Sequence, residues 1–253
     1  MKLKLLNQFS LIFMILFSID LSAATFNYMV VQKQSRPLQI EDYNQNHRGI
    51  VTDIVYAIFD GSNHRINTNT LPFDQLISDL ESSRYANWIT YGSPGWVSVQ
   101  SDNLSDKAIL KVRHNIVVNR QDDFEFKQKS DLDNKTIILL AGFDYPELEK
   151  YIKEKRLREI RVKNFNAAFK LLERLGKRAC FIEMDLRIKY NQKILSIKEN
   201  SFRSQSFSSV IPDYNIYLAL DSNMDEKLQE FINKRLKLLA NEAWLNEVIQ
   251  KYQ

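Results

Sequence analysis

The chain has 253 residues, with 35 basic and 31 acidic side chains, three histidines and one cysteine. So even a charge balance, with no long basic block interleaved with aromatics, argues against nucleic acid or an anionic membrane surface as partner. A lone Cys180 cannot form an internal disulfide, and His47, His64 and His114 lack metal-ligand spacing, so neither a metal nor a cofactor is expected.

Residues 1–24 carry Lys2 and Lys4, an apolar run from Leu11 to Phe17, and small Ser22 and Ala24 before Thr25. That is the three-part pattern of a secretory signal peptide with cleavage after Ala24, and the apolar run is shorter than the ~20 residues a membrane span needs. No cysteine follows the run to take a lipid, so a soluble periplasmic protein without a lipid anchor is expected. The segment removes two bases and one acid, so the net charge of +4 becomes +3.

Phe26 to Val31 alternates like a strand and leads into a polar loop, Gln32 to Arg48, that holds Arg36-Pro37-Leu38. Gly49 opens a helix with Val51, Ile54, Val55, Ile58 and Phe59 on one face, and Gly61 ends it. A strand over Arg65–Thr70, a helix from Pro72 with Leu76, Ile77 and Leu80 inward, and a strand over Trp88–Thr90 complete a first βαβαβ unit. A Gly/Pro loop with Trp96 follows, and then a long run from Ala108 to Asn119 suited to carrying the chain between domains. Thr136–Leu140 is short, apolar and rich in β-branched residues, as a buried strand is. The next helix is expected to start with an Asp144/Glu147 capping box around Pro146. A strand over Glu159–Val162, a helix ending at Gly176, and a strand from Ala179 to Glu183 make a second unit with a parallel sheet. Asn191–Ser209 is serine-rich and reads as a linker, Ile211–Leu220 as a returning strand, and Met224–Tyr252 as helix with a break near Asn241.

The expected architecture is therefore α/β, with two α/β domains joined by two crossovers and a ligand cleft between them. Lobe 1 takes residues 25–110 and 212–253, and lobe 2 takes residues 111–211. Such a cleft suits hinge closure on a small ligand, which in α/β sheets sits beyond the carboxyl ends of the strands.

Several ordered segments carry a resemblance. Arg48-Gly49-Ile50-Val51-Thr52-Asp53-Ile54 looks like a "G-x-x-x-D-[LI]" first helix, and Leu71-Pro72-Phe73-Asp74-Gln75-Leu76 with Leu80 like a "pW-x-x-L-x-x-L" second helix. Leu104-Ser105 with Ile109 resembles "F-S-x-P-[YI]", and Asp131-Leu132-Asp133-Asn134-Lys135-Thr136-Ile137 resembles "dL-x-G-k-x-[IV]". Ala168–Leu175 with Gly176, and a closing helix ending Ile249-Gln250-Lys251-Tyr252, complete the set. Over essentially the whole chain after residue 24, the sequence resembles the bacterial extracellular solute-binding proteins of family 3, the periplasmic receptors of polar amino acid uptake systems. The resemblance implies the type II periplasmic-binding-protein fold, a small-molecule solute, and a transporter permease or a membrane sensor as partner, with the protein a monomer. Related two-lobed proteins include a dehydratase, so an enzyme is the other class, but no His or Cys constellation supports one and binding is favoured.

Departures from the family pattern guide the choice of site residues. The family's "T-x-x-R", whose arginine clamps a ligand carboxylate, is replaced here by Thr90-Tyr91-Gly92-Ser93-Pro94-Gly95-Trp96, with no arginine until Arg113. Gly142-Phe143-Asp144 stands for a "G-[ST]" turn, and Met184, flanked by Glu183 and Asp185, falls where the family places an aspartate. The candidate ligand-binding residues are Arg36, Trp88, Thr90, Tyr91, Trp96, Arg113, Phe143, Asp144, Tyr145 and Glu183. Aromatics with acids suit a cationic or aromatic solute through cation–π and charge contacts. Plainer roles stand beside these: Asp144 as a helix cap, Glu183 facing solvent or paired with Arg187, Trp88 in the core, Arg36 and Arg113 as structural charges, and Cys180 and His114 as packed residues.

Overall fold

The structure, a computed structural model, describes residues 23–42, 44, 46–96, 98–143 and 145–253. Residues 1–22 of the expected export segment 1–24, and Asp144, lie outside the described residues.

Two five-stranded sheets organise the chain. The first takes β1 (Thr25–Val31), β2 (Arg65–Leu71), β3 (Trp88–Gly92), β4 (Leu110–Val112) and, from far along the sequence, β10 (Tyr214–Leu220), in the order β2-β1-β3-β10-β4. The second takes β5 (His114–Asn119), β6 (Thr136–Leu140), β7 (Arg158–Val162), β8 (Ala179–Met184) and β9 (Phe202–Ser206), in the order β7-β6-β8-β5-β9. Each sheet repeats one plan: three parallel strands, then a strand running against them, then an edge strand. The expected parallel sheets are therefore mixed, because β10 and β5 enter antiparallel beside β3 and β8.

Alternation along β1 explains the packing of the first lobe. Phe26, Tyr28 and Val30 face helix α1 (Ile50–Phe59) and the C-terminal helices, while Met29 and Val31 face helix α2 (Phe73–Glu81) and Trp88. The second lobe packs helix α3 (Pro146–Lys153) on one face and α4 (Phe165–Leu175) on the other, with α5 (Asp185–Ile194) following β8. The C-terminal part divides into α6 (Glu226–Leu239) and α7 (Glu242–Gln250) at Asn241, whose side chain caps α7 by accepting from Trp244 N at 2.9 Å. Beyond α7, Lys251 and the Tyr252 hydroxyl both bond Asp53, which ties the end of the chain to the start of α1.

Two expectations are corrected. The run from Ala108 to Asn119 is two strands in different sheets, broken at Arg113, where the chain changes lobes. The expected linker Asn191–Ser209 contains the end of α5 and strand β9, whose Phe202–Ser206 pairs along β5; a polar edge strand, solvated on its outer side, lacks the apolar signature of an inner one. Helix α3 takes Tyr145 as its N-cap residue, and the Asp144 half of the expected capping box lies outside the described residues. The two crossings run side by side. Phe207 N donates to His114 O at 2.9 Å, and Asp213 lies 3.1 Å from Lys111 and 3.5 Å from Arg113.

Gly92 ends β3 where a turn passes so close that a Cβ would overlap the Gln100 carbonyl oxygen. Gly92→Ala is expected to destabilise the protein by about 3 kcal/mol, because the obstacle is backbone that cannot step aside; urea unfolding measures this.

Candidate ligand cleft between the lobes

The first-lobe wall is the turn between β1 and α1. Gln39 is folded back beneath it: its Oε1 accepts from Val31 N at 3.0 Å and its Nε2 donates to Met29 O at 2.8 Å. Gly49 closes the turn at φ 122°, a conformation other residues rarely take, with Leu38 and Gln39 backbone filling the place a Cβ would need. So held, the turn sets the Ser35 hydroxyl 2.8 Å from the Tyr91 hydroxyl and leaves Lys33, Gln34 and Arg36 facing the second lobe.

Three strand ends supply the opposite wall. After β6 come Ala141 and Phe143; after β7 come Lys163, Asn164, Phe165 and Asn166 at the start of α4; after β8 comes α5 with Arg187 and Asn191. Between the walls lies a cavity of about 390 Å³, within the range of small-ligand sites and placed where open sheets hold ligands.

Arg187 spans the cleft. Its Nη1 lies 3.4 Å from Glu183 Oε1, its Nη2 donates to Gln34 O in the other lobe at 2.8 Å, and its guanidinium stacks 4.6 Å from the Phe143 ring and 5.3 Å from that of Phe165. Only 4% of Arg187 and 2% of Glu183 are exposed. Burial pushes the Glu183 carboxyl up from the usual carboxylate range, and the neighbouring Arg187 pulls it back. Arg187 Nε, Glu183 Oε2, Arg36 Nε and His114 Nδ1 are buried without a hydrogen-bond partner among the described residues. At the hinge, His114 tilts against Tyr214 of the other sheet with ring centroids 5.9 Å apart, and burial lowers its pKa to about 4.

The sequence-derived candidates separate in space. Arg36 and Phe143 line the cavity, and Glu183 meets it through Arg187. Tyr91 and Trp96 touch edge to face at 5.8 Å and pack with the first-lobe core beside Ser35. Trp88 is buried in that lobe's other core with Leu76 and Leu80, and Thr90 is fully buried, its hydroxyl donating to Met29 O. Arg113 is an exposed partner of Asp213 at the crossover, and Tyr145 is buried over Leu148. The charge on Glu183 that was expected to draw a cationic solute is already met by Arg187. Lys33, Gln34, Lys163, Asn164 and Arg187 were missed; the strand-end rule applied to β7, and the Glu183/Arg187 spacing of four across the junction of β8 and α5, were the signals that pointed to the last three. Cys180 is fully buried with its thiol pushed up to about 12, which removes it as a nucleophile. Among the described residues no cluster suits a metal, and no helix is long and apolar enough to cross a membrane.

No protein-family model matches the sequence, and no curated protein matches it. Solved structures do match the fold. The substrate-binding protein of an amino acid ABC transporter superposes with a TM-score of 0.64 at 16% identity, over 91% of this chain and 99% of that one. The periplasmic VFT2 domain of Bordetella pertussis BvgS gives 0.65 at 15%, over 91% and 93%. The ancestral amino acid-binding protein AncCDT-1, a precursor of cyclohexadienyl dehydratase, gives 0.64 at 14%, over 91% and 95%.

Removing one charge of the buried pair strands the other. Arg187→Met is expected to cost about 3–5 kcal/mol in urea unfolding, and Glu183→Gln added to it to recover most of that loss. His114 makes a separate, pH-dependent contribution. Its folded pKa lies below the ordinary 6.5, so the stability tied to its neutral form is complete above pH 6.5 and is lost as pH falls toward 4. The loss amounts to up to about 3 kcal/mol, and stability–pH curves of wild type and His114→Gln should separate across that window. By fold, the chain is a two-lobed α/β protein of the type II periplasmic-binding kind.

Proposed function

We propose that the protein is a periplasmic solute-binding protein that captures a small polar solute between its lobes and presents the closed form to a membrane partner, a transporter permease or a signalling protein. The observation that carries this reading is the inter-lobe cavity, with walls from both lobes and Arg187 already bonded across it. A site divided in this way is completed only when the lobes are together, so a solute touching both walls favours closure by its differential affinity for the closed state. The amino acid-binding proteins that share the fold support the reading, as does the export pattern of residues 1–24.

Binding is favoured over catalysis by the chemistry of the walls. An acid–base enzyme needs a carboxyl or imidazole free to move a proton within reach of the substrate. Here Glu183 is committed to Arg187 and to Met184 N, Glu41 accepts from Lys33 N, and the described lining has no histidine or cysteine.

Solutes that bind the folded protein alone raise its melting temperature, by the equivalent of about 2.7 kcal/mol at a hundredfold excess over Kd. A thermal-shift screen across amino acids, polyamines, sugars, carboxylates and phosphate esters is expected to give at least one saturable shift. A flat response across the whole screen would overturn the reading.

A further inference from the structure

Resting on the solute-binding reading, we infer that the solute is a small dianion, one negative group held by Lys33 and Arg36 of the first lobe and the other by Lys163 and the start of α4 in the second. The charge of the cavity carries the inference. Among the described residues its lining includes Lys33, Arg36, Lys163 and Arg187 against one acid, Glu41. Glu183 cancels Arg187, which leaves the described lining a surplus of two positive charges. Among the described residues, neither Lys33, Arg36 nor Lys163 makes a salt bridge with a carboxylate, although salt bridges are frequent elsewhere on the chain.

Two further observations point to a missing acceptor. Arg36 and Arg187 both line the cavity, and the Nε of each is a buried donor without a partner among the described residues; buried donors in folded proteins are nearly always matched. Helix α4, 11 residues long, starts at the same cavity. Asn164 caps it by accepting from Ala167 N, and the first-turn N–H groups of Phe165 and Asn166, which border the cavity, have no acceptor within the helix. An anionic oxygen there meets both those donors and the positive end of the helix dipole. Because the basic groups stand on opposite walls, two anionic groups on one small molecule would draw the lobes together. A carboxylate and a phosphate satisfy these donors equally, so the shared feature is two negative charges on a compact frame.

Isothermal titration of the purified protein tests this with succinate and glutarate as the carboxylate arm, inorganic phosphate and glycerol phosphate as the phosphate arm, and arginine, serine and glucose as cationic, zwitterionic and neutral comparators. Members of one anionic arm are expected to bind at least tenfold tighter than every comparator, which also identifies the source of the charge. Arg36→Gln and Lys163→Gln should each weaken that binding about tenfold or more, the scale of one charge-assisted hydrogen bond. Lys198→Gln, on the exposed surface after α5, should leave it unchanged. Melting curves of the unliganded variants confirm that they fold. Saturable binding of arginine, serine or glucose with none of the anions overturns the dianion inference while leaving solute binding standing. Dianion binding that survives both Gln substitutions overturns the location. Failure of this panel and of the wider thermal-shift screen removes the solute-binding reading and the inference with it.

Discussion

Two charges withdrawn from water, Glu183 at the end of β8 and Arg187 in the first turn of α5, bear on the geometry between the lobes. A buried pair repays its desolvation only when other contacts complete it, and at 3.4 Å the direct contact is long. The guanidinium finds the rest elsewhere: two aromatic faces, and the Gln34 carbonyl of the opposite lobe. Its charge is therefore best accommodated when the lobes are together. Separating them would leave a buried arginine short of one acceptor, so the pair links the local electrostatics of one helix to the closure of the whole molecule.

That linkage depends on a fold in which one plan is used twice. In both sheets a β-α-β-α-β run lays down three parallel strands, and a strand of opposite direction enters next to the third. The returning β10 buries β3, with Ala219 opposite Thr90 and Asp221 N bonded to Trp88 O. Strand ends of both lobes thus point at one another across a gap whose two crossings lie side by side at residues 113 and 207–213.

Most elements were legible because burial leaves a period in the sequence. Thr136–Leu140, the apolar face of α1, the Gly176 stop and the Asn241 break lie where the residues place them. What stayed hidden was set by distant neighbours. Strand β9 is polar and takes its identity from pairing with β5, and Arg113 interrupts a run that otherwise looks continuous. The site follows the same division. Arg36, Phe143 and Glu183 follow from the strand-end rule, whereas Trp88 and Thr90 sit in the core because β10 covers them from more than a hundred residues away. Lys33 and Lys163 look like ordinary solvated lysines until the two loops are set face to face.

The central claim is that one solute touches both lobes at this cavity. Hydrogen exchange of backbone amides, with and without a solute that raises the melting temperature, tests it directly. The account predicts simultaneous protection of residues 33–36 in the first lobe and 163–166 in the second, together with the amides around residue 113 at the crossing. Protection confined to one lobe, or located away from both loops, would contradict it.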